Sequence, residues 1–162
     1  MKSLLAVAML SVCTSRAFSG GEVEHPRLTT NVLEQVSQAL EKAGNTQNLE
    51  GLLAHLASNV VITVSFPQNP EYPRMTFSKD TYADHLKETW TKTRDVSIRR
   101  LTTEFEIAAD GQTATATATF RQTATVKDTG QTFTSTGKQI SRIALVDGIP
   151  NATRIDVTIS YK

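Results

Sequence analysis

The sequence is poor in cysteine and aromatics, has no excess charge of either sign and contains no apolar run long enough to cross a membrane. Of 162 residues one is cysteine, Cys13, and 6% are aromatic, with a single tryptophan. Cys13 stands in an N-terminal stretch that reads as an export signal, so the chain beyond it carries no thiol. Disulfides, thiolate catalysis and cysteine-ligated metal are excluded together. There are 17 basic and 16 acidic residues, and a chain this close to neutral gives no bulk reason to bind nucleic acid or an anionic membrane. A glycine-rich phosphate loop, a nucleophile elbow and a histidine pair at metal-ligand spacing are also missing. No metal and no cofactor is therefore expected.

What is present begins with that N-terminal stretch. Lys2 precedes an apolar run from Leu4 to Val12, and Ala17-Phe18-Ser19 places small residues where a signal peptidase reads them. The run is too short for a stable transmembrane helix. Residues 1–19 are expected to be a signal peptide cleaved after Ser19, which makes the protein secreted or periplasmic, with no membrane partner after cleavage. A variant makes Cys13 a lipidated residue, but Val12 is bulky where that chemistry wants a small one. Removing residues 1–19 takes away Lys2 and Arg16 and leaves 143 residues, 15 basic and 16 acidic. That is the size of one domain. Residues 20–28, with His25 among them, read as a flexible lead-in, and residues 29–162 as the domain.

Within the domain, Asn31 and Glu34 resemble a capping box, and Val32, Leu33, Val36 and Leu40 recur at helical spacing until Gly44. This predicts a first helix over 31–43. A second starts after Thr46 with Leu49, Leu52, Leu53 and Leu56 on one stripe and runs into the β-branched strand Val60 to Phe66. Pro67, Pro70 and Pro73 then make a loop. Ser78 caps a third helix over 79–93, whose stripe is Tyr82, Ala83, Leu86 and Trp90.

From Thr113 to Val126 threonine and alanine alternate almost without a break, which is the period of a long antiparallel strand. Turns at Asp110-Gly111, Asp128-Thr129-Gly130 and Asp147 to Asn151 divide the region into strands over 95–108, 112–127, 131–146 and 153–161. In the first, the apolar phase changes near Arg99-Arg100, as a β-bulge would cause, so the sheet bends. The pattern predicts an α+β domain in which three N-terminal helices pack on a strongly curved, mostly antiparallel sheet.

Closing the hairpins at those turns pairs Ile107 with Ala114, Leu101 with Phe120, Val126 with Phe133, Phe120 with Gln139, and Ala116 with Ile143. Every apolar residue then shares one face, and Gln122, Ser135, Gln139 and Ser141 fall on it too. Polar side chains among Phe120, Phe133 and Ile143 need partners, which a pocket would supply. The expected ligand-binding set is Tyr82, Trp90, Phe120, Gln122, Phe133, Ser135, Gln139 and Ser141. The bland alternative is a solvated mouth of the sheet or a dimer face. On the outer face the same register lines up Arg100, Arg121 and Lys138, with Arg142 nearby and Glu104 and Glu106 in partial compensation. Asn151-Ala152-Thr153 is a glycosylation sequon in a turn.

The order helix, Asn48-Leu49-Glu50-Gly51-Leu52-Leu53 helix, strand, loop, Ser78-capped helix and four long curved strands resembles the nuclear transport factor 2-like superfamily. That superfamily includes SnoaL-like polyketide cyclases, ketosteroid isomerases and scytalone dehydratase. The resemblance covers residues 29–161 and implies a cone-shaped, cystatin-like α+β roll enclosing a pocket, often as a homodimer, used for catalysis in some members and for binding in others. The isomerase and dehydratase members set Tyr-Asp or His-Asp groups inside the cone, and no such set can be matched here. His85 and His55 are the catalytic candidates, both at the boundary of their helices' apolar stripes; Asp156, Glu104 and Glu106 point outward. The expectation is non-catalytic binding of a small apolar or amphipathic molecule, or of a protein partner, in the concave pocket. A SnoaL-like isomerase, cyclase or dehydratase using a pocket histidine and a structural accessory subunit are the alternatives.

Overall fold

The computed structural model describes residues 26–68, 71 and 74–161; the signal-peptide reading, His25, Pro70 and Pro73 lie outside them. The elements run α1 (Thr30–Asn45), α2 (Leu49–Leu53), β1 (Leu56–Ser65), β2 (Met75–Phe77), α3 (Lys79–Lys92), β3 (Thr93–Ile107), β4 (Thr113–Val126), β5 (Thr132–Val146) and β6 (Ile149–Tyr161). The strands form one curled, open, six-stranded sheet in the order β2-β1-β6-β5-β4-β3. Only β1 and β6 pair in parallel. The α+β class and the mostly antiparallel curved sheet are as the sequence patterning predicts.

Local chemistry accounts for the helices and for the places where they depart from expectation. The N-cap of α1 is Thr29, whose hydroxyl accepts from the Val32 amide at 3.2 Å, so the Asn31-Glu34 box does not form. That frees Glu34 for a distant partner. Asn48 caps α2 by accepting from Gly51 at 3.0 Å, and Leu56 opens β1 instead of extending the helical stripe. Ser78 and Thr81 form a reciprocal capping box at the start of α3. The three-residue β2, too short to show a period, pairs with β1 at Ile62↔Phe77. The last turn is tighter than expected. Asp147 and Gly148 both adopt positive φ, 52° and 74°, as a two-residue hairpin requires. β6 therefore starts at Ile149, and the Asn151 sequon lies in a strand with its amide donating to the Ile149 carbonyl at 3.0 Å.

The hairpin register also differs, by two residues. The turn after β4 closes with the Val126 amide on the Gln131 carbonyl and the Gly130 amide on the Val126 carbonyl, both at 2.9 Å. Phe133 therefore faces Ala124, Phe120 faces Gly137, Gln139 faces Ala118 and Ser141 faces Ala116. Ile107 faces Ala114 as expected. A shift of two keeps every side chain on its face, so Gln122, Ser135, Gln139 and Ser141 remain inside and are 2–4% exposed. The ring of Phe120 lies across Gly137, where an added Cβ would stand 2.3 Å from Cζ.

β3 has two irregularities, one between Arg94 and Ser97 and one between Arg100 and Thr102. The second leaves Leu101 without a partner and 49% exposed, and turns Arg100, not Leu101, inward opposite Phe120. Asn45 at the end of α1 hooks onto this edge strand. Its carbonyl accepts from the Ile98 amide at 2.6 Å and its NH2 donates to the Ile98 carbonyl at 2.9 Å. At Ile98 the edge is thus occupied and closed to stray pairing.

The main core joins α1, α2 and α3 to β1, β6 and the centre of the sheet through Leu40, Leu52, Ile62, Leu86, Phe120 and Ile155. A smaller cluster of Leu28, Leu33, Ala114 and Ile143 closes the far end. Residues 26–28, assigned to the lead-in by composition, are docked. Leu28 is 3% exposed and donates its amide to the Gly111 carbonyl at 2.7 Å. Gln112 holds the Pro26 carbonyl at 3.3 Å, and Pro26 packs beside Gly148.

Candidate functional site

A cavity of about 30 Å³ lies on the concave face between α1 and strands β3, β4 and β5. That is room for one or two waters or a small head group. Its polar lining is Ser37, Arg100, Thr103, Gln139 and Ser141, set against an apolar lining that includes Leu33, Phe105, Phe120 and Ile143. The small Ala116 and Ala118 of β4 leave the space. The alternation of β4 puts those alanines inward, and the bulge at Leu101 puts Arg100 beside them.

Arg100 has a side chain only 15% exposed and is held by α1. Both its terminal nitrogens donate to Glu34, Nη1 to Oε2 at 2.9 Å and Nη2 to Oε1. Nη1 also donates to Thr103 Oγ1 at 3.2 Å, and Nε lies 3.9 Å from Glu41 Oε2. The Arg100 hydrogen bonds hold the Glu34 carboxyl below its usual range against the opposing effect of burial, with help from Gln38. Neither glutamate lines the cavity. Arg100 thus joins the cavity lining to the carboxylates of α1. Nearby, Gln139 Nε2 donates to Ser141 Oγ at 2.8 Å, which leaves the Ser141 proton to be given elsewhere.

Of the residues expected to bind ligand, Phe120, Gln139 and Ser141 line this cavity. Gln122 and Ser135 sit opposite each other one step along the same face, beyond the ring of Phe120. Neither amide atom of Gln122 has a hydrogen-bond partner among the described residues. Such burial costs about 1–3 kcal/mol per group. Phe133 is half-buried beside Ala124. Tyr82 and Trp90 belong to the main core. Tyr82 is 1% exposed with its ring 5.9 Å from Phe77, and Trp90 packs against the same cluster.

The histidines are elsewhere. His85 stacks obliquely on Phe77 with ring centroids 4.9 Å apart, and burial pushes its pKa down. His55 sits at the junction of α2 and β1, where burial lowers its pKa to about 4 against the opposing Pro150 backbone hydrogen bond. Neither lines the cavity. Among the described residues no group of three or more His, Cys, Asp or Glu could hold a metal ion, and no helix is long and apolar enough to cross a membrane.

The cationic row expected on the outer face is not formed. Arg121 faces Arg99, Lys138 faces Thr119, and Arg100 is inside. Asp156 does lie on that face and is clamped by Arg154 through bonds of 2.7 and 3.0 Å. Two shifts account for the missing row: the inward phase of β3 runs on through Arg100 to the irregularity at Leu101, and the two-residue register shift of β5 carries Lys138 from Arg121 to Thr119. Sequence reasoning therefore missed Arg100, and with it Ser37 and Thr103. One signal was available. Glu34, Ser37 and Glu41 recur at spacings of three and four along the edge of the α1 apolar stripe, where half-buried carboxylates favour a cation between them.

No protein-family model and no curated protein matches this chain. Solved structures do. A protein with a cystatin-like fold from Caulobacter vibrioides is 18% identical, covering 81% of this chain and 89% of that one, with a TM-score of 0.64. A ketosteroid isomerase-like protein from Erwinia carotovora atroseptica is 15% identical, over 75% and 88%, with a TM-score of 0.58. A hexachlorocyclohexane dehydrochlorinase, LinA-type3, from Novosphingobium barchaimii is 9% identical, over 77% and 82%, with a TM-score of 0.63. The fold is the nuclear transport factor 2-like fold of these proteins.

Proposed function

We propose that this chain is an exported domain that binds a small amphipathic molecule on its concave face without transforming it. The observation that carries the reading is the lining of the cavity, where hydroxyl, amide and guanidinium donors stand opposite a wall of Leu33, Phe105, Phe120 and Ile143. Its one ionisable lining residue is Arg100, and a guanidinium neither gives nor takes a proton at neutral pH. General acid–base chemistry needs a group that does, and both histidines lie outside the lining. Two neighbours in fold are named for isomerase-like and dehydrochlorinase proteins, but fold is shared across many uses. With about 30 Å³ enclosed, the cavity takes the polar head, and the apolar body lies along the open mouth beside α1.

Native mass spectrometry of the chain purified from a host that exports it tests the reading. The expected result is a folded species carrying a releasable extra mass, on a polypeptide that begins at Gly20. A ligand-free species that also acquires no mass from an extract of the same host overturns it.

A further inference from the structure

We propose that the molecule bound on the concave face is a small monocarboxylic acid, held as its carboxylate by Arg100 and the hydroxyls beside it, with Glu34 as the competing internal anion. This rests on the concave-face reading above and names its ligand class.

The first support is the position of Arg100. The bulge leaves Leu101 49% exposed and places an arginine with a 15% exposed side chain on the cavity wall. An apolar residue is given to solvent and a cation to the interior, the reverse of what burial alone favours. Bulges that re-aim a side chain are concentrated at sites of function.

The second support is the donor count. A guanidinium has five N–H groups. Here two on Nη1 and one on Nη2 are used by Glu34 and Thr103, and the Nε hydrogen is 3.9 Å from Glu41 at the nitrogen, too far for a hydrogen bond. Two donors remain. Thr103 Oγ1 accepts from Arg100, and Ser141 Oγ accepts from Gln139, so each keeps its own proton to donate. A cavity wall of one cation and several uncommitted hydroxyl protons matches an oxyanion. The apolar remainder of the lining matches a short hydrocarbon body and disfavours a dianion or a sugar.

Glu34 sets the affinity. Its carboxylate already forks onto Arg100 from α1, and its side chain is 39% exposed, so it can turn to water when a ligand carboxylate arrives. An internal competitor of this kind weakens binding by the strength of the bond it must give up.

Titration of the full chain with hexanoate and, separately, with hexan-1-ol, followed by ¹H–¹⁵N NMR, tests the assignment. Hexanoate is expected to shift the amides around Ser37, Arg100 and Ser141 and to bind at least about tenfold more tightly than hexanol, since charge-assisted bonds exceed that ratio. Glu34→Gln is expected to tighten hexanoate several-fold and leave hexanol unchanged. Arg100→Gln is expected to abolish the preference, and Arg100→Lys, which keeps the charge and loses the fork, to retain part of it should Arg100→Gln fail to fold. Equal affinity for the two probes overturns the carboxylate assignment and leaves concave binding standing. Concave-face amides that respond to neither probe overturn both.

Discussion

At the scale of single residues, His55 has the sharpest consequence. Its imidazole is buried where α2 meets β1, near Lys79, and its pKa falls from 6.5 to about 4. Above pH 6.5 the ring is neutral in folded and unfolded chains alike, and stability is unaffected. As pH falls from 6.5 toward 4, only the unfolded chain takes up the proton, so stability is lost across that window; below 4 the loss is complete. Allowing for partial exposure, the full loss is about 2 kcal/mol. Urea unfolding at pH 7 and pH 4.5 is expected to show a smaller acid loss in His55→Gln than in the parent chain. Parallel losses would remove His55 from the account. Burial lowers the His85 pKa in the same direction, opposed by Glu88, so His85 adds a loss of the same sign.

At the scale of strands and helices, the meander is held in register by the fit of Phe120 over Gly137. A Cβ at 137 would lie 2.3 Å from Cζ and 2.7 Å from Cε1, so the ring must move or the strands must part. Gly137→Ala is expected to lower stability by about 1–3 kcal/mol, as overpacking does. Phe120→Leu in the same chain should recover part of that loss, a coupling that a double-mutant cycle read by chemical denaturation reports; strict additivity would mean the ring already yields. The period-two run of threonine and alanine made these strands legible, with the face of every β4 residue, because alternation is a local property. Register was not legible to the residue. A shift of two preserves alternation, and only the bonds of the four-residue turn after Val126 distinguish the two pairings. The three-residue β2 lay below any detectable period. For the site, Phe120, Gln139 and Ser141 could be placed on the inner face from patterning, whereas Arg100 could not. Hydrophobicity ranks Leu101 as the inward residue, and the hold of Glu34, 66 positions away, is invisible to neighbours in sequence.

At the scale of the whole molecule, the segment before α1 acts as a strap. Pro26 and Leu28 touch both the turn between β3 and β4 and the turn between β5 and β6, and Leu28 completes the smaller core with Leu33, Ala114 and Ile143. Leu28→Ala is expected to cost about 2–5 kcal/mol, the range for a buried leucine. It should appear as a lower melting temperature in calorimetry. An unchanged melting temperature would show that the smaller core closes without the strap. Loss of the strap also frees the floor of α1 beside the cavity, so binding and stability should fall together in this variant.

The parallel pairing of β1 with β6 bears on the order of assembly. β6 is the last strand in the sequence, yet it sits between β1 and β5, with Ile62 beside Ile155 and Val64 beside Val157. Until it arrives, the helices with β1 and β2 form one fragment and the β3–β5 meander another, joined along the sheet by nothing. Contacts spanning about a hundred residues close last and slowly. Without β6 the facing edges of β1 and β5 stay unpaired, and an unpaired edge is where a chain caught part-way through assembly pairs with another copy of itself.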